Sequence, residues 1–503
     1  MKSVRLSELI DGLGVVCPLD NNPQIAGIAY DSRLVAPGDL FVAVPGFHTD
    51  GRRFIADALA RGAIAVVVED SAGPSPAERC PVIAVPSARA ALARLAAAFY
   101  GRPALKMRVV GVTGTDGKTT TSHLISAVLE RAGYRTGITG TVYLKIGDQL
   151  VSNPYHQTTP ESLEIQKALA EMVEAGADYA IIETTSHGLA LNRVDECHYD
   201  AAVFTNLTSD HMDFHADRDE YLSYKGRLFT SLGVAADKGV PKAAILNADD
   251  PASAYLAGVT PVEPITYGID AEADVRASEL SMAGWGTTFT MATPQGRTVV
   301  NLPLIGRFNV YNALAAAALG LSQSVELAVI KDGMETFQGV PGRMERVAAG
   351  QDFKVVVDFA HTAGALGAAL EALRPYCAGK LTVVFGCPGE RDRTKRSVMG
   401  RVAARLADFV VLTSDEPRSE DPLEIVKEIE AGVKLAGRTE GRDYVTLPDR
   451  REALAEALGR ARSGDVVLLA GKGHEDCIIY RDRSIPWSDR LVALDLLKDR
   501  RSI

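Results

Sequence analysis

The feature that most constrains the fold is a glycine-rich string, GVTGTDGKT, that runs from Gly111 to Thr119. We match it to the P-loop pattern, in which glycines precede a lysine and a hydroxyl residue. An apolar run before it predicts a buried strand, and apolar residues on one face of Leu124–Leu129 predict a helix after it. Backbone N–H groups, the positive end of the helix and Lys118 would bind phosphate oxygens. The string therefore predicts a nucleotide-binding α/β domain.

Strand and helix patterns alternate along most of the chain, which predicts mostly parallel sheets. A length of 503 residues is too great for one ordinary core and predicts about three domains. Breaks at Gly101–Pro103 and Gly339–Gly342 divide the chain into an N-terminal domain (1–103), a central P-loop domain (104–340) and a C-terminal Rossmann-like domain (341–503). The stretch Ala273–Asn301 is predicted to be a hairpin-rich insertion.

The composition limits the classes of partner. A formal net charge of −10 disfavours non-specific binding to nucleic acid or to an anionic membrane surface, although a local basic cleft remains open. The six cysteines are scattered without a C-x-x-C pair, which argues against a zinc site and a disulfide framework. No signal-peptide pattern or membrane-span pattern is present. We expect a cytoplasmic protein that binds small anionic ligands, with no nucleic acid partner and no membrane insertion.

Polar residues follow two further predicted strands. Glu183 ends the apolar run Tyr179–Ile182 and is followed by Thr184–His187, and the polar string Thr205–Asp213 follows another apolar run. The carboxyl ends of parallel strands share one edge of a sheet, so these side chains should lie near the P-loop. Taken singly, Glu183 could also be a helix cap or an ion-pair partner, and His211 a loop histidine.

Motifs in a fixed order along essentially the whole chain resemble those of the Mur ligase family. The matching strings are the P-loop, Asp31–Arg33, Gly38–Ala43, His156–Glu161, Glu183–Leu189, Thr205–His211, Tyr221–Phe229, Gly306–Asn312, Gly342–Glu345, Asp358–Thr362, Gly386–Arg396, Asp415–Arg418 and Ala470–Glu475. The resemblance implies three α/β domains that bind, in order, the UDP end of a substrate, ATP, and an incoming amino acid. It also implies peptidoglycan synthesis through an acyl phosphate.

The resemblance further assigns residues to the two large substrates. For ATP these are Gly114, Thr115, Gly117, Lys118, Thr119, Thr120, Asn309, Asn312, Arg343, Asp358 and His361. For the UDP-N-acetylmuramoyl peptide they are Ser32, His48, Thr49, Thr158, Thr159, Thr185 and Arg193.

The resemblance also implies a catalytic group with Mg²⁺ as cofactor. Lys118 would neutralise charge on the transferred phosphate, while Thr119, Glu183, His211 and Lys225 would hold Mg²⁺. Oxygen ligands are the physical expectation for this hard cation, and imidazole is an unusual one. Lys225 would serve as a carbamate formed with CO₂, which is an anionic oxygen ligand. The alternative is an exposed lysine beside Arg227.

The incoming substrate is expected to be a diamino acid. Family members that use meso-diaminopimelate carry Asp-Asn-Pro-Arg, whose arginine binds the distal carboxylate of that substrate. Here the string is Asp415-Glu416-Pro417-Arg418, and the matching pocket residues are Arg391, Glu416, Arg418, Gly471 and Glu475. Arg418 suits a bidentate carboxylate contact. The carboxylate of Glu416, in place of asparagine, could pair with Arg418 or with a substrate ammonium.

Several other functions remain open on sequence grounds. The same ligation could use L-lysine, L-ornithine or another diamino acid, and divergent positions such as Thr184 and Leu191 permit an altered substrate. Dipeptide extension and folylpolyglutamate synthesis are neighbouring reactions that the strings at 156–160 and 415–418 disfavour. A P-loop regulatory NTPase, which hydrolyses ATP to switch conformation, would be a different class of protein. Such a protein would not need a third domain with Arg391, Arg418 and Glu475, so their presence disfavours this alternative. We expect a monomer.

Overall fold

The computed structural model describes residues 3–15, 22–46, 49–69, 80–155, 157–208 and 217–501. His48, His156 and His211 lie outside the described residues, so the roles predicted for His48 and His211 remain predictions. Within the described ranges, one large sheet lies in each of the three predicted domains. The α/β class is therefore confirmed, while the boundaries 1–103, 104–340 and 341–503 stay predictions. No helix in these ranges combines the length and apolar character that a membrane span needs.

The N-terminal part is built on a parallel sheet in the order β3-β4-β5-β6. Successive residues of its strands point to opposite faces of the sheet, and both faces carry a hydrophobic core. A small antiparallel pair, β1-β2, lies beside it. The elements are β1 (Val4–Arg5), α1 (Leu6–Ile10), β2 (Gln24–Ile25), β3 (Gly27–Ala29), β4 (Asp39–Val42), α2 (Ile55–Ala60), β5 (Ala65–Glu69), β6 (Val82–Val85) and α3 (Ala88–Phe99).

The central part contains one long sheet whose middle strands are parallel. The order β10-β9-β8-β11-β7-β12-β13-β14-β15-β16-β17 places β7 between β11 and β12. Its strands are β7 (Arg108–Thr113), β8 (Thr136–Thr139), β9 (Tyr143–Ile146), β10 (Gln149–Ser152), β11 (Tyr179–Glu183), β12 (Ala201–Phe204), β13 (Ala243–Asn247), β14 (Pro264–Gly268), β15 (Val275–Ser281), β16 (Thr287–Thr293) and β17 (Gly296–Leu302).

Helices cover both faces of this sheet, as the apolar runs in its strands require. Val110 and Val112 pack on the side of α4 and α9, whereas Val109 packs on the opposite side with α5 and α7. The helices are α4 (Lys118–Arg131), α5 (Ser162–Glu174), α6 (Ser186–Ala190), α7 (Arg218–Thr230), α8 (Ala252–Val259), α9 (Arg307–Ser322) and α10 (Leu327–Glu335). The ends of β7, β11 and β12 consequently meet at one edge.

The predicted insertion at Ala273–Asn301 is a continuation of this sheet. β15, β16 and β17 form the expected antiparallel hairpins, but β15 also pairs in parallel with β14 through Tyr267 and Gly268. The predicted hairpins are therefore confirmed. The pairing to β14, which makes them part of the central sheet, gives no signal in the hairpin sequence itself.

The C-terminal part is a second sheet with helices on both faces, in the order β18-β19-β23-β20-β21-β22. β19 to β23 pair in parallel, and β18 is antiparallel. The elements are β18 (Glu345–Val347), β19 (Lys354–Asp358), α11 (Ala363–Leu373), β20 (Leu381–Phe385), α12 (Thr394–Leu406), β21 (Phe409–Leu412), α13 (Pro422–Leu435), β22 (Tyr444–Thr446), α14 (Arg450–Arg460), β23 (Val466–Ala470), β24 (Cys477–Ile479), β25 (Ser484–Pro486) and α15 (Asp489–Arg501).

Candidate active site

The phosphate-binding loop connects β7 to α4, which confirms the predicted strand–loop–helix arrangement. Gly114 and Gly117 have φ angles of 149° and 83°, values that favour glycine. A Cβ on Gly114 would lie 1.8 Å from the Thr205 hydroxyl, and one on Gly117 would lie 2.4 Å from Asn312 Oδ1. Gly111 lies inside β7 and six positions before Gly117, whereas the P-loop pattern separates its two glycines by five positions, so the match that began the loop at Gly111 was wrong at that end.

Lys118 folds back over this loop. Its Nζ donates hydrogen bonds to the carbonyl oxygens of Gly114, at 2.9 Å, and Thr115, at 2.7 Å. The Asn206 side chain closes the loop from the next strand, since its Oδ1 accepts from the Asp116 N–H at 2.9 Å. The ammonium group thus lies beside the N-terminal end of α4, where N–H groups favour anions.

Glu183 is the centre of a hydrogen-bond network at the end of β11. Its side chain is fully buried, and its Oε2 accepts from the hydroxyls of Thr119 and Thr141 at 2.9 and 2.8 Å. Its Oε1 accepts from the Thr141 N–H at 3.0 Å, and the Thr141 and Thr158 hydroxyls are 3.1 Å apart. Thr119 and Glu183, predicted as metal ligands, are therefore in direct contact.

These oxygens fit a magnesium ion. A buried carboxylate with two threonine hydroxyls is the oxygen donor set that Mg²⁺ prefers, with water and phosphate completing the coordination. In the described residues there is no group of three or more His, Cys, Asp or Glu side chains suited to a metal. The predicted ligand His211 lies outside the described residues.

Lys225 is 1% exposed, which excludes the alternative of an exposed surface lysine beside Arg227. Its Nζ donates to the Gly114 carbonyl oxygen at 2.9 Å and lies 4.3 Å from the ring centroid of Tyr221. The Tyr221 hydroxyl in turn lies 3.2 Å from the Thr115 hydroxyl. Lys225 and Lys118 therefore share one carbonyl of the phosphate-binding loop, which places the lysine of α7 at the site as predicted from sequence.

The start of α9 contributes two buried amides. Asn312 Nδ2 donates to Asn309 Oδ1 at 3.0 Å, and Asn309 Nδ2 donates to the Ile305 carbonyl oxygen at 2.8 Å. Asn312 Oδ1 also accepts from the Thr121 hydroxyl at 3.2 Å, which ties α9 to α4. Thr120, in the first turn of α4, is buried as well.

The C-terminal part reaches the phosphate-binding loop through Arg343. Its Nη2 donates to the Thr119 hydroxyl at 3.4 Å, and its guanidinium lies 4.7 Å from the ring centroid of Phe359. Asp358 accepts from the Met344 and Ala360 N–H groups at 2.7 and 2.9 Å, and its burial raises the pKa of its carboxyl.

His361 follows Asp358 at the same end of β19. Its Nδ1 lies 2.9 Å from the Phe359 carbonyl oxygen, and its ring centroid is 4.6 Å from that of Phe359. The structure thus brings Arg343 and His361 together around Phe359, and Arg343 also reaches Thr119 of the central part. Their contacts with nucleotide stay predictions.

Three of the residues predicted to bind the muramoyl peptide form a hydrogen-bonded group beside Glu183. The Thr159 hydroxyl donates to the Glu183 backbone carbonyl at 2.7 Å and lies 3.0 Å from the Thr185 hydroxyl. Arg193 donates to the Thr159 carbonyl oxygen at 3.0 Å and pairs with Glu161 at 2.8 Å. The substrate-side residues are thereby joined directly to the predicted metal site.

Polar side chains of the N-terminal part contact Glu161 and α5 of the central part. Arg89 lies 3.4 Å from Glu161, and the Tyr30 hydroxyl donates to Glu164 at 3.0 Å. Ser32 is buried at the start of a short 3₁₀ turn, and Thr49 is exposed next to the undescribed residues 47–48. Ser32 and Thr49 thus lie in the N-terminal part, whereas Thr159 and Thr185 lie in the central part. A ligand that contacts both pairs would span two domains.

A network of charged residues forms the predicted amino-acid pocket. Lys472 is completely buried, and its Nζ lies 2.6 Å from Glu475, 3.1 Å from Glu416 and 3.7 Å from Asp415. Burial is the largest influence on Glu475 and raises the pKa of its carboxyl to about 7, against the opposing effect of Lys472. Arg418 Nη2 lies 3.2 Å from the second oxygen of Glu416.

Gly471 and Arg391 complete the predicted pocket in different ways. Gly471 has a φ of 101°, and a Cβ there would lie 3.0 Å from Asp415 Oδ2. Arg391 is exposed on the loop between β20 and α12. That loop is fixed to the pocket because the Gly389 N–H donates to the Glu416 carbonyl oxygen at 2.8 Å. The structure thus brings Glu416, Gly471 and Glu475 together and places Arg391 on an adjoining loop.

A buried ion pair that the sequence interpretation missed supports this pocket. Arg450, first in α14, and Asp489, first in α15, are almost fully buried and share two hydrogen bonds of 2.8 and 2.6 Å. Arg450 also donates at 3.0 Å to the carbonyl oxygens of Ser414 and Ala470, which precede Asp415 and Gly471. Because Arg450 and Asp489 are 39 positions apart in the chain, no local motif predicts that they pair.

Two other functional residues were missed for different reasons. Thr141 lies in a turn after β8 without any recognisable pattern, so only its position beside Glu183 identifies it. Lys472 stands inside the matched string Ala470–Glu475 but received no role. Its complete burial among three carboxylates was the missing information.

Comparison with known proteins places this geometry in a family. Residues 24–100 match the Mur ligase family catalytic domain, residues 112–320 the Mur ligase middle domain, and residues 342–473 the Mur ligase glutamate ligase domain.

Relatives extend the likeness over nearly the whole chain. A UDP-N-acetylmuramoyl-L-alanyl-D-glutamate–2,6-diaminopimelate ligase from Geobacillus thermodenitrificans is 47% identical and covers 95% of this chain and 96% of its own. A UDP-N-acetylmuramyl-tripeptide synthetase from Roseiflexus sp. is 48% identical, with 93% of each chain covered. A solved structure that bears the former name is 31% identical, with a TM-score of 0.64 and coverage of 95% and 96%. The chain therefore belongs to the Mur ligase family.

Proposed function

We propose that the chain is an ATP-dependent ligase that adds meso-2,6-diaminopimelate to UDP-N-acetylmuramoyl-L-alanyl-D-glutamate in peptidoglycan synthesis. The observation that carries the proposal is Arg418, held at the edge of the charged pocket with a guanidinium suited to a distal carboxylate. The relative from Geobacillus thermodenitrificans, named for this reaction, supports the same substrate. Cell-wall peptide synthesis of this kind would take place in the cytoplasm.

The reaction has two chemical steps. A carboxylate of the muramoyl dipeptide attacks the γ-phosphorus of ATP and forms an acyl phosphate, with ADP as the leaving group. The amine of diaminopimelate then attacks the acyl carbon, and phosphate leaves as the amide bond forms. Activation is necessary because a carboxylate is a poor electrophile. Both substrates held in one cleft supply much of the rate through positioning.

Lys118 acts in the first step. In the described structure its ammonium is held by the carbonyls of Gly114 and Thr115, and bound phosphate offers it charged oxygens instead. The N–H groups of the loop and of Thr119 and Thr120 at the start of α4 hold the remaining phosphate oxygens. Charge that develops during phosphoryl transfer is thus stabilised by groups already in place.

Thr119, Glu183, His211 and a carbamate on Lys225 would hold Mg²⁺. The ion supplies charge neutralisation for the phosphates when it is bound. The carbamate is supported by the burial of Lys225 beside the Gly114 carbonyl of the phosphate-binding loop, because an ammonium at this position would repel a cation bound nearby. A carbamate would reverse the charge at that position.

The other residues position the substrates. Asn309 and His361 flank the adenine, and Asn312 also contacts ATP. Arg343 and Asp358 contact the nucleotide from the C-terminal domain. Ser32, His48 and Thr49 bind the uridine diphosphate, and Thr158, Thr159, Thr185 and Arg193 bind the muramoyl peptide. Arg391, Glu416, Arg418, Gly471 and Glu475 surround the incoming diamino acid. Closure of the domains excludes water, which would hydrolyse the acyl phosphate.

Phosphate release from ATP tests the proposal. The purified chain, which we expect to be monomeric, is given the UDP-muramoyl dipeptide with meso-diaminopimelate, L-lysine or L-ornithine. Release that requires both the dipeptide and diaminopimelate supports the ligase. Release that needs neither contradicts it and favours a regulatory NTPase. Arg418→Ala is the matched variant, and it should lose about tenfold or more in apparent affinity for diaminopimelate alone.

A further inference from the structure

We propose that Glu416 is a specificity-determining residue whose carboxylate competes with the distal carboxylate of the incoming amino acid for the guanidinium of Arg418. The inference rests on the proposed ligase function and concerns how strongly the pocket prefers substrates that carry this second carboxylate.

The guanidinium of Arg418 has one nitrogen close to Glu416 and another without a hydrogen-bond partner among the described residues. Its Nη2 lies 3.2 Å from Glu416 Oε2, whereas its buried Nε has no hydrogen-bond partner among the described residues. A guanidinium presents its donors as a planar fork that matches a carboxylate through two hydrogen bonds. A substrate carboxylate would satisfy Nε, but the second donor position next to it is the one close to Glu416.

The backbone of Arg418 is held in an unusual conformation beside the pocket. Arg418 has a φ of 53°, which is unusual for a residue with a side chain. Its N–H donates to the Ile479 carbonyl oxygen at 2.9 Å, and it forms a parallel bridge with Tyr480. Strained positions of this kind persist where the surroundings determine them. The backbone of Arg418 is therefore held in place at the edge of the pocket.

The other oxygen of Glu416 is also held. Glu416 Oε1 lies 3.1 Å from Lys472, so the carboxylate stands between the two cations Lys472 and Arg418. Lys472 also lies 2.6 Å from Glu475 and 3.7 Å from Asp415. These two carboxyl groups remain beside it when Glu416 is replaced by a neutral residue. The Arg418 side chain is 28% exposed and can be hydrated. Removal of the Glu416 charge thus leaves neither cation unpaired in a dry environment.

The consequence differs between substrates. A distal carboxylate that binds Arg418 comes close to the Glu416 carboxylate and shares its donor, so like-charge repulsion lowers its affinity. L-lysine has no distal carboxylate and does not encounter this repulsion. Glu416 therefore narrows the preference for diaminopimelate over lysine, compared with a pocket that has a neutral amide at this position.

The test compares Glu416→Asn and Glu416→Gln with the unaltered chain. For each protein, kcat and KM are measured for meso-diaminopimelate and for L-lysine with saturating ATP and UDP-muramoyl dipeptide. We expect the ratio of kcat/KM for diaminopimelate to that for lysine to rise about tenfold in both variants, through a lower KM for diaminopimelate. Glu424→Gln, which removes an exposed carboxylate paired with Lys427 on α13, is the matched control and should leave the ratio unchanged.

The outcomes separate the inference from the function on which it rests. An unchanged ratio in two folded variants of an active ligase overturns the inference alone. A KM that rises for both amino acids also overturns it and shows that Glu416 binds a substrate ammonium. If the unaltered chain ligates neither amino acid, the proposed function fails and the inference fails with it. Thermal unfolding of each variant establishes that it is folded.

Discussion

The phosphate-binding loop and the amino-acid pocket handle charge in different ways. At the loop, one buried carboxylate, Glu183, accepts hydrogen bonds from neutral threonine hydroxyls, and glycine backbone geometry shapes the rest. In the pocket, Asp415, Glu416 and Glu475 surround the buried Lys472. The first site is organised by backbone conformation, and the second by the balance of several charges in a desolvated space.

This difference has consequences for what each site tolerates. The loop already presents its donors to phosphate, so its function should depend on single groups such as Lys118 and should vary little with the incoming amino acid. The pocket should respond to pH and to each change of charge, because ionic groups in a low-dielectric environment affect one another strongly.

Lys118→Ala should abolish ligase activity with every incoming amino acid. We expect a fall in phosphate release of about 1000-fold or more, because one preorganised charge that stabilises the transition state is lost. Lys167→Ala removes a lysine that is 55% exposed on α5 and should behave like the unaltered chain. A loss confined to one amino acid would show that the loop is not the common site.

Arg450→Ala should destabilise the C-terminal domain strongly. It leaves Asp489 buried without its partner, which typically costs about 3–5 kcal/mol in the free energy of unfolding. Arg451→Ala is the matched control on the same helix, since its pair with Asp495 is exposed to solvent and should contribute little to the free energy of unfolding. Urea unfolding of both variants measures the difference. Equal effects would contradict a supporting role for the buried pair.

Lys225→Ala should reduce activity by about 100-fold, as the loss of one metal-site group commonly does. A short carboxylate such as acetate should restore part of it, because the added anion takes the place of the carbamate oxygens. Lys118→Ala, which removes a cation, should not respond to acetate. Normal activity in Lys225→Ala would contradict the carbamate.

The pH dependence of the pocket should be modest and should require Glu475. Its carboxyl pKa is raised from 4.5 to about 7, so this group lowers the free energy of unfolding as pH rises between those values. The ionised form accepts a substrate ammonium, and KM for the diamino acid should fall several-fold from about pH 6 to pH 8. Glu475→Gln should remove that change. KM for ATP, measured on the same samples, should not follow it.

The parts of the site predicted from sequence are those that local strings encode. The β7–loop–α4 unit, Glu183 at its strand end and the string 415–418 each combine hydrophobic pattern with adjacent polar residues, so position along the chain implies position in the fold. The two-sided cores of the central sheet follow from the same apolar runs.

Other parts depend on pairing between distant segments. The ion pair of Arg450 and Asp489 and the contact of Thr141 with Glu183 join segments whose sequences give no hint of one another. The continuation of the sheet through β14 and β15 depends on backbone hydrogen bonds, which are common to all residues. The depth of Lys225 was not predictable because its helix has polar residues on most faces.

The most direct test of the account is a competition in a single reaction. The chain, ATP, Mg²⁺ and UDP-N-acetylmuramoyl-L-alanyl-D-glutamate are mixed with equal concentrations of meso-diaminopimelate and L-lysine, and the tripeptide products are identified by mass spectrometry. The account predicts that the diaminopimelate product predominates and that Arg418→Ala removes this preference. A predominant lysine product, or a preference unchanged in Arg418→Ala, would contradict it.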